Sequence, residues 1–213
     1  TGANSGIGRV AARELARAGA RVVLAVRSLE KGDEAAAQMQ GDVEVRRLDL
    51  ADLSSVREFA DGWDGDLDVL VNNAGLMAVP RSRTADGFET QIGVNHLGHF
   101  ALTNLLLPRI RERVVTVSSM AHRIGRIRLD DLNWERHRYE RWQAYGQSKL
   151  ANLLFTLELQ RRLDEAGSDV RALACHPGYA ATHLQERTGI ALQNGLMWLT
   201  NRVIAQGDYL GAL

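Results

Sequence analysis

The sequence is poor in several features that mark whole classes of protein. One cysteine among 213 residues, Cys175, excludes an internal disulfide and a cysteine-based zinc site. Because Cys175 lies in the apolar run VRALAC, we expect a buried, inert thiol. No apolar stretch approaches the roughly 20 residues of a membrane span. No signal peptide opens the chain either, so we expect a cytoplasmic protein without a transmembrane segment.

A charge excess and metal-ligand spacing are also missing. The 26 basic and 26 acidic side chains cancel, which argues against a nucleic acid or an anionic membrane as partner. His96 and His99 are three residues apart without a carboxylate partner, so no metal site is expected. Basic and aromatic residues alternate from Trp134 to Trp142, but the acidic residues among them favour a packed loop near an active site.

Short apolar runs alternate with helical periodicity along most of the chain. The runs predict strands over 21–26, 43–48, 67–72, 113–118 and 169–175, and helices over 7–18, 29–39, 53–62, 86–110 and 144–165. Apolar strands separated by helices are typical of a parallel sheet covered on both faces. We therefore predict a doubly wound, Rossmann-type α/β fold in a single domain, residues 1–213. No strand precedes the first turn and none closes the chain, so we expect that terminal segments are missing and that the sheet is split.

The opening sequence TGANSGIG predicts a glycine-rich turn that leads into a helix. Gly2, Gly6 and Gly8 would let backbone N–H groups approach a pyrophosphate at the helix N-terminus. A plain helix cap is the alternative, because a glycine-rich turn alone is weak evidence. No Gly-Lys-Ser/Thr follows, which argues against a nucleoside-triphosphate loop.

The end of the 21–26 strand bears on the choice of dinucleotide. NAD-binding proteins usually place an acidic residue there, on the ribose 2′-hydroxyl. Here Val26 takes that place and Arg27 follows, and a guanidinium would bind the 2′-phosphate of NADP. We therefore expect NADP rather than NAD, with a solvated strand-end charge as the alternative interpretation of Arg27.

Tyr145 and Lys149 stand four residues apart in a predicted helix, so both side chains project from one face. A phenol has a pKa of about 10 and exchanges protons poorly at neutral pH. An ammonium at about 4 Å would supply the ~4 kcal/mol needed to bring that pKa toward 7. The pair is therefore a candidate general acid/base, although the same spacing occurs by chance on many helices.

Taken in order, these motifs together with Asn72-Asn73-Ala74-Gly75 and Ser118-Ser119 resemble the short-chain dehydrogenase/reductase family over essentially the whole chain. The resemblance implies that Asn95 holds a water in a proton relay and that Ser119 hydrogen-bonds the substrate carbonyl. It further implies that Tyr145 is the acid/base and that Lys149 binds the nicotinamide ribose. The cofactor-binding residues that it implies are Gly2, Asn4, Ser5, Gly6, Ile7, Gly8, Arg27, Asp49, Leu50, Asn72, Ala74, Gly75, Tyr145, Lys149, Pro177, Gly178 and Thr182.

The interval between Ser119 and Tyr145 is longer than in most members of the family, because it contains an extra segment, residues 126–143. With MAHRIGRI and HPGYAATHL, this interval resembles the branch of retinol dehydrogenases and WW-domain oxidoreductases. That branch implies a bulky apolar alcohol or aldehyde as substrate, often with NADP. The apolar residues Val94, Leu97, Ala101 and Leu105 are expected to face the core, with pairing of two copies as a secondary hypothesis.

Three functions stay open on the sequence. The first is an NADP-linked dehydrogenase/reductase. The second is a catalytically silent sensor or scaffold of the same fold, against which the presence of Asn95, Ser119, Tyr145 and Lys149 argues. The third is a sugar-nucleotide epimerase or dehydratase, whose glycine turn usually has the spacing G-x-x-G-x-x-G that this chain does not show.

Overall fold

The computed structural model describes residues 1–178, so the predicted site residue Thr182 lies outside the described residues. Two compact units are present, residues 1–49 with 177–178, and residues 50–176. Each contains a parallel sheet with flanking helices, as the sequence predicted, and the strands form two separate sheets. That residues 1–213 form one domain stays a prediction.

The first unit consists of α1 (Gly6–Arg17), β1 (Val22–Val26), α2 (Leu29–Ala36) and β2 (Val43–Arg47). The two strands are parallel, with Val22 opposite Val43 and Val26 opposite Arg47. Their apolar side chains pack with both helices in a small core of Ala3, Ala12, Leu24, Val26 and Ala35. The strands therefore end together, and Arg27 follows one of those ends.

The second unit carries the larger sheet, in which β4 lies between β3 and β5 and all strands are parallel. Its strands are β3 (Leu67–Asn72), β4 (Ile110–Val117) and β5 (Arg171–Cys175). Its helices are α3 (Leu53–Asp61), α4 (Thr90–Ile92), α5 (Gly98–Leu106) and α6 (Arg141–Glu165). A π-helical turn, Gly93–Leu97, joins α4 to α5, and short 3₁₀ helices cover Leu107–Arg109 and Met120–Ile124.

The helix predicted over 86–110 is wrong in extent and in form. It begins at Thr90, changes to a π-helical turn at Gly93, and is followed by the strand that starts at Ile110. Pro108 lies in the 3₁₀ turn between helix and strand, and its missing N–H explains why the α-helix does not continue. The prediction overlooked this proline.

Two predictions about burial are also wrong. Leu105 is 43% exposed and Val94, Leu97 and Ala101 are half-buried, whereas Leu102 and Leu106 supply the core contacts of α5. Cys175 ends β5 and is exposed rather than buried. Within residues 1–178, no helix has the length and apolar character that a membrane crossing requires.

Candidate active site

Helix α6 presents Tyr145 and Lys149 one turn apart, and each side chain is only 4% exposed. The helix begins at Arg141 because Glu140 caps it, its carboxylate accepting hydrogen bonds from the backbone N–H groups of Trp142 and Gln143. The ring of Trp142 packs edge-on against Tyr145, with 6.2 Å between ring centres. The capped first turn thus holds the phenol in a fixed, buried position.

Ser119 and Tyr145 come together, as the resemblance implied. Ser119 follows β4 and caps the 3₁₀ helix Met120–Ile124, its hydroxyl accepting from the backbone N–H of Ala121 at 3.2 Å. Burial raises the pKa of Tyr145, and a side-chain hydrogen bond with Ser119 opposes that rise. The phenol therefore keeps its proton at neutral pH, and the Ser119 side chain favours its ionised form.

Lys149 has a different relation to Tyr145 from the one predicted. Its Nζ lies 5.8 Å from the centre of the Tyr145 ring and donates a 2.9 Å hydrogen bond to the carbonyl of Val117. Burial lowers the pKa of Lys149 to about 8. The expectation that this ammonium brings the phenol pKa toward 7 is wrong for the residues as they stand, because burial raises the pKa of Tyr145 and the opposing effect comes from Ser119, not from Lys149.

Asn95 lies in the π-helical turn and is fully buried. Its side chain forms a paired hydrogen bond with the backbone of Leu76, which donates to Oδ1 at 2.7 Å and accepts from Nδ2 at 2.9 Å. Nδ2 also donates to the hydroxyl of Ser148 at 2.9 Å. Asn95 thus joins the loop after β3 to α6 next to Lys149, and π-helical turns are frequent at functional sites.

The loop after β3 passes beside these groups. A methyl group at Gly75 would lie 3.3 Å from Oδ1 of Asn95 and 3.6 Å from Nζ of Lys149, so a larger side chain would intrude between them. Ala74 is half-buried in the same loop. Asn72 is 1% exposed and its Nδ2 donates to Thr103 at 2.9 Å, so its contacts are inside the fold.

The extra segment, residues 126–143, folds as the packed loop that the sequence predicted. Asp131 is its centre, with its carboxylate accepting from the backbone N–H groups of Glu135, Arg136 and His137 and from the His137 ring. Burial raises the pKa of Asp131, but these hydrogen bonds outweigh it and hold the pKa well below its usual range. Gln147 fastens the loop to α6, donating to the carbonyl of Leu132 at 3.2 Å.

A second set of hydrogen bonds that holds this loop in place was not predicted from the sequence. Glu89 is 1% exposed, caps α4 through the N–H groups of Gln91 and Ile92, and accepts from the Tyr139 hydroxyl at 3.0 Å. Nε2 of Gln91 donates to the Tyr139 hydroxyl at 2.8 Å. Burial raises the pKa of Glu89. The capping signal was the Glu that precedes the helix, but its partner Tyr139 lies 50 residues further along the chain.

In the first unit, the glycine turn has the conformation that a close backbone approach requires. Gly2 and Gly6 have positive φ, 65° and 53°, and the N–H of Gly2 donates to the carbonyl of Ala25 at 2.9 Å. Helix α1 begins at Gly6, and Gly8 is buried in its first turn. Asn4 and Ile7 are half-buried, and Ser5 is exposed.

Arg27 is exposed immediately after β1, as predicted. A second arginine, Arg47, ends β2 directly opposite Val26 and is also exposed. Two guanidinium groups therefore lie at the ends of adjacent strands. Arg47 was not predicted from the sequence, although two parallel strands of equal length, paired in register, would end side by side.

The remaining predicted cofactor residues lie in loops. Asp49 and Leu50 follow β2, and Asp49 is half-buried while Leu50 is buried. The backbone of α5 passes close to Leu50, because a methyl group at Gly98 would lie 2.6 Å from the Leu50 carbonyl oxygen. Pro177 and Gly178 follow β5, and Gly178 has a φ of 69°.

Comparison with known proteins confirms the resemblance. A family model described as short chain dehydrogenase matches residues 1–192. Human retinol dehydrogenase 13 is 50% identical over 202 residues, which is 89% of this chain and 60% of that protein. Mouse retinol dehydrogenase 12 is 52% identical over 196 residues, 86% of this chain and 61% of that protein. The similarity supports the retinol dehydrogenase-like branch, and this chain spans about three fifths of the length of those relatives.

Solved structures give the same fold. A crystal structure of an uncharacterized protein from Mycobacterium paratuberculosis has a TM-score of 0.82 at 63% identity, covering 97% of this chain and 76% of that one. A short-chain dehydrogenase from Sphingobium yanoikuyae in complex with NADPH has a TM-score of 0.75 at 22% identity, covering 99% and 79%. A Burkholderia phymatum homologue in complex with NAD has a TM-score of 0.74 at 23% identity, covering 100% and 81%.

Proposed function

From the premise that the chain belongs to the short-chain dehydrogenase family, we propose that the protein interconverts an alcohol and a carbonyl compound with NADP as hydride carrier. The observation that carries this proposal is the buried Tyr145 beside Lys149, whose Nζ is bonded to the carbonyl of Val117, two residues before Ser119. A carbonyl oxygen gains negative charge as it is reduced, so it needs a hydrogen-bond donor and a proton. Ser119 supplies the first and Tyr145 the second.

The protonation states of Tyr145 and Lys149 are consistent with these roles. Because burial raises the pKa of Tyr145, the phenol carries a transferable proton at neutral pH. Lys149, with a pKa of about 8, is mostly protonated there and is fixed on the Val117 carbonyl. When bound, a nicotinamide supplies or accepts the hydride, and the residues named here orient and protonate the substrate.

Two features of the structure suit a nicotinamide dinucleotide. Gly2 and Gly6 have positive φ and carry no Cβ, so the backbone of the turn that leads into α1 can approach a pyrophosphate closely. Gly75 leaves space beside Lys149 and Asn95 that a Cβ would fill. We assign the pyrophosphate to the glycine turn and the nicotinamide ribose to Lys149.

NADP is proposed over NAD because Arg27 follows the strand end where an acidic residue would hold a free ribose hydroxyl, and because Arg47 ends the neighbouring strand beside it. Replacing both with Ser should weaken NADPH binding 10-fold or more, on the order of one lost charge-assisted contact, and leave NADH binding unchanged. Fluorescence titration measures both affinities. The exposed Arg17, replaced with Ser, is the control, and equal loss for both cofactors would refute the assignment.

The proposed substrate is a bulky apolar alcohol or aldehyde, in keeping with the names of the retinol dehydrogenase relatives. The full-length protein should be assayed with retinoid, steroid and aliphatic carbonyls, with NADPH and with NADH. Tyr145→Phe should abolish turnover while NADPH still binds, because only the transferable proton is removed. NADPH binding without turnover of any carbonyl would favour the silent sensor instead.

A homodimer is proposed as the assembly. Helices α5 and α6 expose Phe100, Leu105, Leu154 and Leu157, and the rings of Phe100 and Phe155 pack edge-on at 5.5 Å. Apolar side chains at this density on two neighbouring helices suit a partner surface. Light scattering of the full-length protein measures the mass, and Leu157→Asp should shift a dimer toward monomer.

A further inference from the structure

Two glycines lie in contact beside the proposed proton donor. Gly125 ends the 3₁₀ helix that Ser119 begins, and Gly146 follows Tyr145 in α6. A Cβ at Gly125 would lie 2.2 Å from the carbonyl oxygen of Gly146 and 2.9 Å from the backbone nitrogen of Gln147. The peptide that follows Tyr145 therefore rests directly on the backbone of Gly125.

The contact is equally close from the other side. A Cβ at Gly146 would lie 2.7 Å from the carbonyl oxygen of Ala121 and 3.0 Å from the backbone nitrogen of Gly125. Neither glycine needs the left-handed conformation here, since φ of Gly125 is −70° and Gly146 is helical. Both positions are restricted by the approach of the two backbones.

The 3₁₀ helix is a stiff connection between this contact and Ser119. The Ser119 hydroxyl accepts from the N–H of Ala121, and Nδ1 of His122 lies 2.8 Å from the Ser119 carbonyl oxygen. The N–H of Gly125 in turn donates to the carbonyl of His122 at 3.0 Å. A displacement at Gly125 is thus passed along five residues to the serine.

We infer that the Gly125–Gly146 contact sets the separation of the Ser119 and Tyr145 hydroxyls, and that both glycines are positioning residues for proton transfer. The inference rests on the proposed function and deepens it. Alanine at 125 forces the backbones at least 0.8 Å apart, the gap between 2.2 Å and the 3.0 Å below which real Cβ contacts hardly occur. Alanine at 146 forces a separation of only 0.3 Å, the difference between 2.7 Å and 3.0 Å.

These displacements predict a graded series. A misplacement of about 1 Å at reacting groups lowers rates about 100-fold, so Gly125→Ala should lower kcat on that order. Gly146→Ala should lower it less than about 10-fold, by the same reasoning. The control is Gly62→Ala at the end of α3, where a Cβ would meet its nearest atom at 3.3 Å. NADPH affinity should stay within about twofold in all three, because the effect is on orientation.

A double-mutant cycle of Gly125→Ala with Ser119→Ala distinguishes a positioning role of Gly125 from a general loss of folded structure. If Gly125 acts through Ser119, Gly125→Ala should cost little more once the serine hydroxyl is gone. A full additional loss in the Ser119→Ala background, or a Gly125→Ala enzyme as active as Gly62→Ala, would overturn the inference. Thermal unfolding of each variant identifies any that fails to fold, and the milder Gly146→Ala then carries the comparison.

A titration without substrate keeps this test separate from that of the proposed function. Absorbance at 295 nm, taken as the difference between each protein and its Tyr145→Phe counterpart, follows the ionisation of Tyr145 alone. Losing the Ser119 hydrogen bond should move that ionisation to higher pH, so Gly125→Ala and Ser119→Ala should shift it alike. An unshifted Gly125→Ala refutes the inference even if no carbonyl is ever turned over. A shifted protein without turnover refutes only the proposed function.

Discussion

Replacing Asn95 with Ala should be among the most destabilising single changes in residues 50–176 that alter no apolar packing. The amide makes three hydrogen bonds, two to the backbone of Leu76 and one to Ser148, and it is fully buried. At about 1 kcal/mol for each bond, its loss should lower the free energy of unfolding by about 3 kcal/mol. That fall corresponds to a lowering of Tm by about 6–12 °C for a protein of this size.

Urea unfolding followed by circular dichroism measures the effect, and Asn104→Ala is the matched control. Asn104 lies on α5 about two turns beyond the π-helical turn, is exposed, and makes a 2.7 Å hydrogen bond to the carbonyl of Phe100. Its replacement should change stability by less than about 0.5 kcal/mol. Asn95→Asp should fall between the two, because it keeps the acceptor for the Leu76 N–H and loses both donors. An Asn95→Ala protein as stable as Asn104→Ala would refute the reasoning.

Two further predictions concern ionisation and the loop. The folded pKa of Lys149 is about 8 against an ordinary 10.5, so the unfolded chain binds more protons between these values and stability should rise by about 3 kcal/mol from pH 8 to 10.5. Lys149→Met should abolish that rise and Lys31→Met should not; ¹³C-lysine spectra resolve the two lysines of the chain directly. Asp131→Asn should destabilise the protein by about 2 kcal/mol at pH 7, in thermal unfolding, and the exposed Asp130→Asn should have no effect. Because the pKa of Asp131 is lowered, the difference should vanish as pH falls through that pKa.

The sequence predicted the strands well, because each strand is a short apolar run bounded by turn residues. It did worse where neighbouring elements decide the structure. Nothing in GVNHL distinguishes a π-helical turn from an α-helix, and the bond of Asn95 to Leu76, 19 residues earlier in the chain, could not be read from these letters. On α5, Leu105 was likewise mistaken for a core residue, because more than one side of the helix carries apolar residues and only its neighbours in the fold determine which side is covered.

For the candidate catalytic residues too, the sequence predicted one property and not another. Their identity could be read from residue type and order, because parallel strands bring their carboxyl ends to one edge of a sheet. Their proton affinities could not, because burial is a property of the whole fold. Coulomb's law applied to a Tyr–Lys pair predicted a phenol pKa lowered toward neutrality, whereas burial raises it and leaves only the Ser119 bond in opposition.

That reversal affects how the site would respond to pH. A buried phenol that retains its proton is ready to protonate a developing alkoxide, so carbonyl reduction draws on the form that is populated at neutral pH. Alcohol oxidation needs the phenolate, whose population grows as pH rises toward the raised pKa of Tyr145. Under the proposed function, the same two hydroxyls, Ser119 and Tyr145, would serve both directions through opposite protonation states. Because the Ser119 side chain opposes the rise in the Tyr145 pKa, the positioning role inferred for Gly125 would extend to the pH range of oxidation as well as to the rate.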